Sequence, residues 1–299
     1  MNKGVLAGIG AYTLWGLFPI YWRLLEQVPA IEILVHRMVW SLVFVAAILT
    51  LQKDWHWLGE ALRNRRTVVI YTLAAILLSI NWFTYIWAVN AGFVVEASLG
   101  YFINPLVNFL LGVIFLGEKL RRGQVAAVIL AGLGVVYLAV AYGSLPWISL
   151  VLAFTFGMYG LIKKTAPLES MHGFSLETIV LFLPALGYLL YREVSGMGAF
   201  VHQGAMVTLL LILAGPVTSI PLLLFGYSAR RIPLSMLGFI QYIAPTLQFL
   251  LGVFVYLEPF PKARLVGFCI IWLALLLYTL EGVFFNRKQK ASQSLVEPL

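Results

Sequence analysis

Residues 103–118 read INPLVNFLLGVIFLGE, and 140 positions later residues 243–258 read IAPTLQFLLGVFVYLE. Ile103, Pro105, Phe109, Leu110, Leu111, Gly112, Val113 and Glu118 each recur as the same residue at that spacing. A chain that repeats so apolar a segment about half its length apart is constrained to two related parts, each solving the same packing problem. Weaker matches keep the same order. Trp15-Gly16-Leu17 corresponds to Tyr159-Gly160-Leu161 at offset 144, Ile31-Glu32 to Leu176-Glu177 at 145, and Ser79 to Ser219 at 140.

Composition fixes the medium in which those parts fold. Of 299 residues, 62% are hydrophobic and 11% charged, against roughly 45–50% and about 25% in soluble domains. That much apolar surface requires lipid. A spanning helix takes about 20 mostly apolar residues. Ten such runs are read, near 4–24, 33–51, 68–91, 97–116, 124–142, 145–162, 176–191, 205–227, 234–257 and 265–285. The connections are too short for a soluble domain. Only Lys3 precedes the first run and no small-residue cleavage site follows it, so that run is expected to remain as a helix.

The formal net charge of +8 suggests nucleic acid, but the Lys and Arg residues form short clusters between the apolar runs. With the N-terminus in the cytoplasm, 15 of the 20 fall on that side; Arg23, Arg37, Arg192, Lys262 and Arg264 fall on or near the other. Moving one span would erase the bias, so the positive-inside rule supports ten spans, cytoplasmic termini and no nucleic-acid partner. Five spans repeated as five must enter the membrane from opposite sides. The expected fold is therefore all-α and integral to the membrane, with inverted five-helix repeats at 1–142 and 143–285 and a cytoplasmic polar tail at 286–299.

Polar residues inside such spans mark interior surfaces. Tyr101, Asn104 and Asn108 lie on one face of span 4, and their counterparts Gln241, Ala244 and Gln248 on span 9. Tyr242 lies beside that second stripe. The alternatives are a cavity lining and interhelical hydrogen bonds of about 0.6 kcal/mol each. Pro105 and Pro245 recur at matching mid-helix positions, where each removes a backbone donor and frees the carbonyl one turn earlier; they are read as bends, against a simple packing kink. Trp15, Asn81 and Tyr85, with Tyr159 as the mate of Trp15, offer stacking and polar tips for a solute, against an interfacial belt. A central Arg costs about 2.5–3.5 kcal/mol to insert, so Arg37 is expected to anchor at the interface or to gate the path by pairing with Glu32 or Glu96. Glu96, Glu32 and His36 are the candidates for proton coupling, with facilitated diffusion equally consistent.

Other chemistries find no support. Four scattered histidines lack metal-ligand spacing, no phosphate-binding loop supplies ATP, and no nucleophile–base set suggests hydrolysis. Neither cofactor nor metal is expected, and Cys269, the single cysteine, permits no intrachain disulfide. Gly4 and Gly8 form a small-xxx-small face suited to helix packing.

Several runs carry a family likeness: EILVHR at 32–37, IWAVN at 86–90, EASLGYFINP at 96–105 and GFIQYIAPT at 238–246. They resemble the RarD group of the EamA family, in the drug/metabolite transporter superfamily, and the likeness extends over nearly the whole chain short of the tail. It implies a bacterial cytoplasmic (inner) membrane permease, with spans 1, 3, 4, 6, 8 and 9 lining a central cavity. It also implies export of amino acids, other metabolites or drugs. Small four-helix relatives carry a carboxylate in their first span for proton exchange. Span 1 here has none, so that mechanism is not carried over. The expected function is a secondary transporter, not an enzyme, that moves a small-molecule substrate through the lipid bilayer by alternating access. The rivals are a membrane enzyme acting on lipid-like substrates, which would show clustered acids or histidines near one face, and a non-transporting scaffold.

Overall fold

A computed structural model describes residues 2–90, 94–142, 147–255, 265–267, 269–274 and 276–282. Every regular element among them is helical: α1 (Lys3–Arg23), α2 (Ala30–Leu51), α3 (His56–Arg63), α4 (Arg65–Asn90), α5 (Val94–Leu116), α6 (Arg122–Tyr142), α7 (Trp147–Thr165), α8 (Ser170–Val194), α9 (Ala205–Ala229), α10 (Leu234–Gln241) and α11 (Ile243–Leu250). A π-helical turn at Leu251–Val255 follows α11, and α12 covers the described part of Leu265–Gly282. Eight of these are long and apolar enough to cross a membrane. The expected fourth span has a shorter described apolar stretch, Gly100–Leu116. The expected ninth is not one helix but two with a break at Tyr242. The tail at 286–299 and the end of the second repeat copy lie outside the described residues.

Helix starts follow local chemistry. Asn2 caps α1, its side chain accepting from Gly4 N at 2.8 Å, which satisfies an otherwise orphan donor. Pro29 and Pro233 immediately precede α2 and α10. The Glu118 carboxylate, far away in sequence, caps α10 by accepting from Leu234 N at 2.6 Å and Ser235 N at 3.0 Å.

The two matching prolines behave differently. Helix α5 runs through Pro105 without interruption, whereas the break before Pro245 falls at Tyr242, just past the carbonyl that Pro245 cannot serve. Proline alone does not decide the outcome. At the break, the Tyr242 hydroxyl donates to the Phe102 carbonyl at 3.2 Å, across a separation of 140 positions. The neighbouring Gln241 side chain is held by two other helices. These tertiary bonds hold the turn that the missing donor makes available.

Close approaches set the packing. A Cβ on Gly8 would stand 2.8 Å from Ser228 Oγ, and one on Gly4 2.8 Å from Arg231 Cβ, so α1 lies directly against α9 and the segment that follows it. Gly157 brings α7 onto Val107 of α5 in the same way, with 2.7 Å available to a Cβ. The largest buried cluster includes Tyr12, Leu78, Val107, Leu111, Tyr159, Phe174, Phe225 and Leu237.

Candidate functional site

A cavity of about 240 Å³ lies against the largest buried cluster, sharing Tyr12 and Ala244 with it. Helix α1 contributes Tyr12, Trp15, Phe18, Pro19 and Trp22; α4 contributes Asn81, Trp82 and Tyr85. Arg37 enters from the first third of α2, Tyr101 from α5 and Phe156 from α7. Gln241, Ala244, Pro245 and Gln248, spaced i, i+3, i+4 and i+7, close the remaining wall. Elements from before and after residue 143 thus share one chamber.

Six of the ten side chains expected to bind a solute line it: Trp15, Asn81, Tyr85, Tyr101, Gln241 and Gln248. Asn104, Asn108, Tyr159 and Tyr242 do not. Asn104 and Asn108 lie about 5 and 10 Å farther along α5 than Tyr101 at 1.5 Å per residue, which takes them past the chamber into a packed contact. There Asn104 Nδ2 donates to the Ala153 carbonyl at 2.6 Å, and Asn108 Nδ2 to Asn104 Oδ1 at 3.2 Å and Gln241 Oε1 at 3.1 Å. The two polar stripes therefore meet, but chiefly to bind helices together.

Some lining groups also have structural partners. Asn81 Nδ2 donates to the Leu152 carbonyl at 2.8 Å and Thr155 Oγ1 at 3.0 Å. Gln248 Nε2 donates to the Trp15 carbonyl at 3.2 Å. Gln241 Oε1 accepts from Asn108 and, at 3.4 Å, from the Tyr12 hydroxyl.

The gating residues are arranged differently from expectation. Glu32 does not pair with Arg37. It is 1% exposed, accepts from Ala199 N at 2.5 Å and pairs with Arg192 at 3.1 Å. Arg192 reaches it because α8 continues to Val194. The side chain of Glu96 lies outside the described residues. Arg37 instead donates from Nε to Thr218 Oγ1 at 2.8 Å, and its guanidinium carbon lies over the rings of Trp22 at 4.8 Å and Trp82 at 4.5 Å. His36 is buried away from the chamber, its ring 5.1 Å from that of Phe200, with neither nitrogen hydrogen-bonded among the described residues.

Beyond the chamber, aromatic rings pack toward Lys163 and Glu177. Phe225 lies 5.7 Å from Trp15, 5.2 Å from Phe156 and 5.9 Å from Tyr159, the last in a stacked arrangement. Beneath them, Glu177 accepts from the Tyr159 hydroxyl at 3.0 Å and from Lys163 Nζ at 2.9 Å. Lys163 and Glu177 are 3% and 1% exposed. Sequence reading placed Lys163 in a surface cluster and missed this pair. The available signal was the alignment of Glu177 with Glu32, since both repeat-related carboxylates prove to be buried and paired. Thr218, Phe18 and Phe156 were missed because hydroxyls and phenyl rings are unremarkable in apolar helices.

The comparisons with known proteins agree with this architecture. The sequence pattern of the EamA-like transporter family matches residues 2–140. Protein RarD of Streptomyces exfoliatus is 49% identical over 297 residues, covering 99% of this chain and 94% of that protein. The uncharacterized transporter YojE of Bacillus subtilis is 49% identical over 294 residues, covering 97% and 98%. A solved structure, described only as the crystal structure of a protein, shares the fold at TM-score 0.69 and 19% identity, covering 93% of this chain and 98% of its own. The chain is a membrane transporter belonging to the RarD group of the EamA family, within the drug/metabolite transporter superfamily.

Proposed function

We propose that this transporter moves a small organic solute across the bacterial cytoplasmic membrane by alternating access between two inverted five-helix repeats, 1–142 and 143–285, with export as the working direction. The observation that carries the reading is the one-sided chamber. Its wall draws on both repeats, and its other side is filled by the Phe225–Tyr159 stack and the Lys163–Glu177 pair. A path open to one face and filled toward the other is what one state of an alternating-access cycle requires.

The pattern of helix neighbours supports the symmetry. Helix α1 packs on α9, α10 and α11, as its counterpart α7 packs on α4 and α5, while α2 meets α8 and α5 meets α10. Phe102 and Tyr242, 140 apart, touch. With cytoplasmic termini and a cytoplasmic tail at 286–299, as the positive-inside bias favours, the chamber faces outward. Trp15, Asn81, Tyr85, Tyr101, Gln241 and Gln248 are its solute contacts. Pro245, at the helix break, serves as a hinge.

The test is counterflow in proteoliposomes. Purified protein is screened by thermal shift against amino acids, organic acids, other metabolites and drugs, since a bound solute raises the midpoint. Solutes that stabilise it are then loaded inside and their labelled forms supplied outside. Saturable exchange, abolished by Gln241→Leu with Tyr101→Leu, is expected. Stabilising solutes that never exchange would overturn the transport cycle. Exchange indifferent to an imposed pH gradient would remove proton coupling and leave facilitated diffusion.

A further inference from the structure

Arg37 is the charged side chain of the chamber lining, and no described carboxylate forms an ion pair with it. Three described acids have other partners: Glu32 is held by Arg192 and Ala199 N, Glu177 by Lys163 and Tyr159, and Glu193 by His202; the side chain of Glu96 lies outside the described residues. A guanidinium placed among helices in lipid is costly unless an opposite charge meets it. Here the group is also held in position. Its Nε is committed to Thr218 Oγ1 at 2.8 Å, and its plane lies over two indoles. That leaves the terminal Nη donors, the edge that grips a carboxylate through two parallel hydrogen bonds.

The surroundings define what else the ligand carries. Trp15, Phe18, Phe156 and the Tyr85–Tyr101 pair, with ring centroids 5.7 Å apart, supply apolar and aromatic walls. Among the described residues, no acidic side chain lines the chamber to answer an ammonium group. Its volume of about 240 Å³ lies below the roughly 300–1,000 Å³ typical of drug-sized pockets.

We infer that Arg37 is the anchor of a substrate site for small carboxylic acids with an apolar or aromatic body and no free amine. The inference rests on the transport reading for its biological meaning, but the site can be tested without transport. Arg37 thereby selects the solute by charge, whereas Glu32 and Arg192 fasten α2 to α8 beside it.

Three probes of similar shape separate the possibilities: 3-phenylpropanoate, its uncharged amide 3-phenylpropanamide, and the cation 2-phenylethylamine. Binding to the full-length protein in nanodiscs is measured by quenching of tryptophan fluorescence, to which Trp22 and Trp82 contribute. The acid is expected to bind about tenfold or more tightly than the amide, in keeping with a charge-assisted bidentate contact, and the amine weakest. Arg37→Gln should bring the acid-to-amide ratio to about one, and Arg37→Lys should leave a reduced preference because ammonium lacks the planar fork. Arg66→Gln, exposed at the start of α4, should keep the wild-type ratio. Thermal midpoints establish that each variant is folded. Should Arg37→Gln fail to fold, the wild-type ratio and Arg37→Lys decide.

Equal affinity for acid and amide, no binding of any probe, or a preference unchanged in Arg37→Gln would overturn the site. Counterflow then distinguishes the two readings. Acid binding without exchange of any solute leaves the anion site standing and removes transport; exchange of neutral solutes without acid preference does the reverse.

Discussion

Two acids buried in this bundle, Glu32 and Glu177, are each paired with a cation on another helix, and the consequences can be read residue by residue. Lys163 and Glu177 are almost wholly removed from solvent. Their mutual attraction offsets desolvation, so the pair as a unit adds little, while either member alone is a buried unpaired charge. Glu177→Gln is expected to destabilise the protein by about 3–5 kcal/mol. The double variant Lys163→Met with Glu177→Leu should recover most of that loss. Thermal unfolding of the purified variants checks both; a double variant as unstable as the single would show that the pair contributes more than it costs to bury. Lys163 also lies 5.7 Å from the ring centroids of Tyr71 and Tyr159, which softens the loss for Glu177→Gln relative to Lys163→Met.

What could be read from sequence at this scale was residue type. Trp15, Asn81, Tyr85, Tyr101, Gln241 and Gln248 stand out as polar or amphipathic groups in apolar helices, and they line the chamber. Asn104 and Asn108 have the same signature and the same helix face, yet serve helix contacts. Face is legible from period, but depth along the helix relative to a cavity is not. Ion-pair partners were still less legible. Glu32 has His36 four residues away and Arg37 five, but its partner Arg192 is 160 positions distant, and only the folded arrangement of α2 beside α8 brings them together.

At the scale of elements, glycine contacts and caps determine how helices sit. Because a Cβ at Gly8 would already meet Ser228 Oγ at 2.8 Å, Gly8→Leu should force α1 away from α9, an overpacking cost of about 1–3 kcal/mol or more. Glu118→Ala removes the cap of α10 and should cost about 1 kcal/mol, while Glu118→Gln retains a carbonyl acceptor and should cost less. Melting temperatures in detergent rank the three, and a Gly8→Leu protein as stable as wild type would contradict the close approach. The repeat made α5 and the 234–255 segment look alike. Their divergence at Pro105 and Pro245 lies in the contacts around each proline, which a sequence match does not contain. The short α3 was likewise unforeseen. It follows Asp54, which is bonded to His172 at 2.7 Å, while Trp57 stacks on that same imidazole at 4.6 Å.

The molecule as a whole is legible in outline because membrane folding leaves few choices: apolar runs become helices. The side to which the chamber opens was not readable, since both halves of the chain have the same apolar character. The proposed sidedness makes a direct prediction. Cys269 is exposed, so it is first replaced by Ser. In that background, Tyr85→Cys should react with a membrane-impermeant maleimide applied outside intact cells, and Phe225→Cys, 1% exposed, should resist labelling from either face. Rapid labelling at Phe225 and none at Tyr85 would mean that the resting protein faces the other way.

Helix α10 has only eight residues, a rise of about 12 Å. Its first turn is gripped by the Glu118 carboxylate, and its last residue, Gln241, lies in the chamber wall. The break at Tyr242 separates this rod from α11. It is thus built as a pushrod: a displacement of Gln241 would reach Glu118, 116 positions away in sequence from the start of the rod, without having to bend a full-length helix.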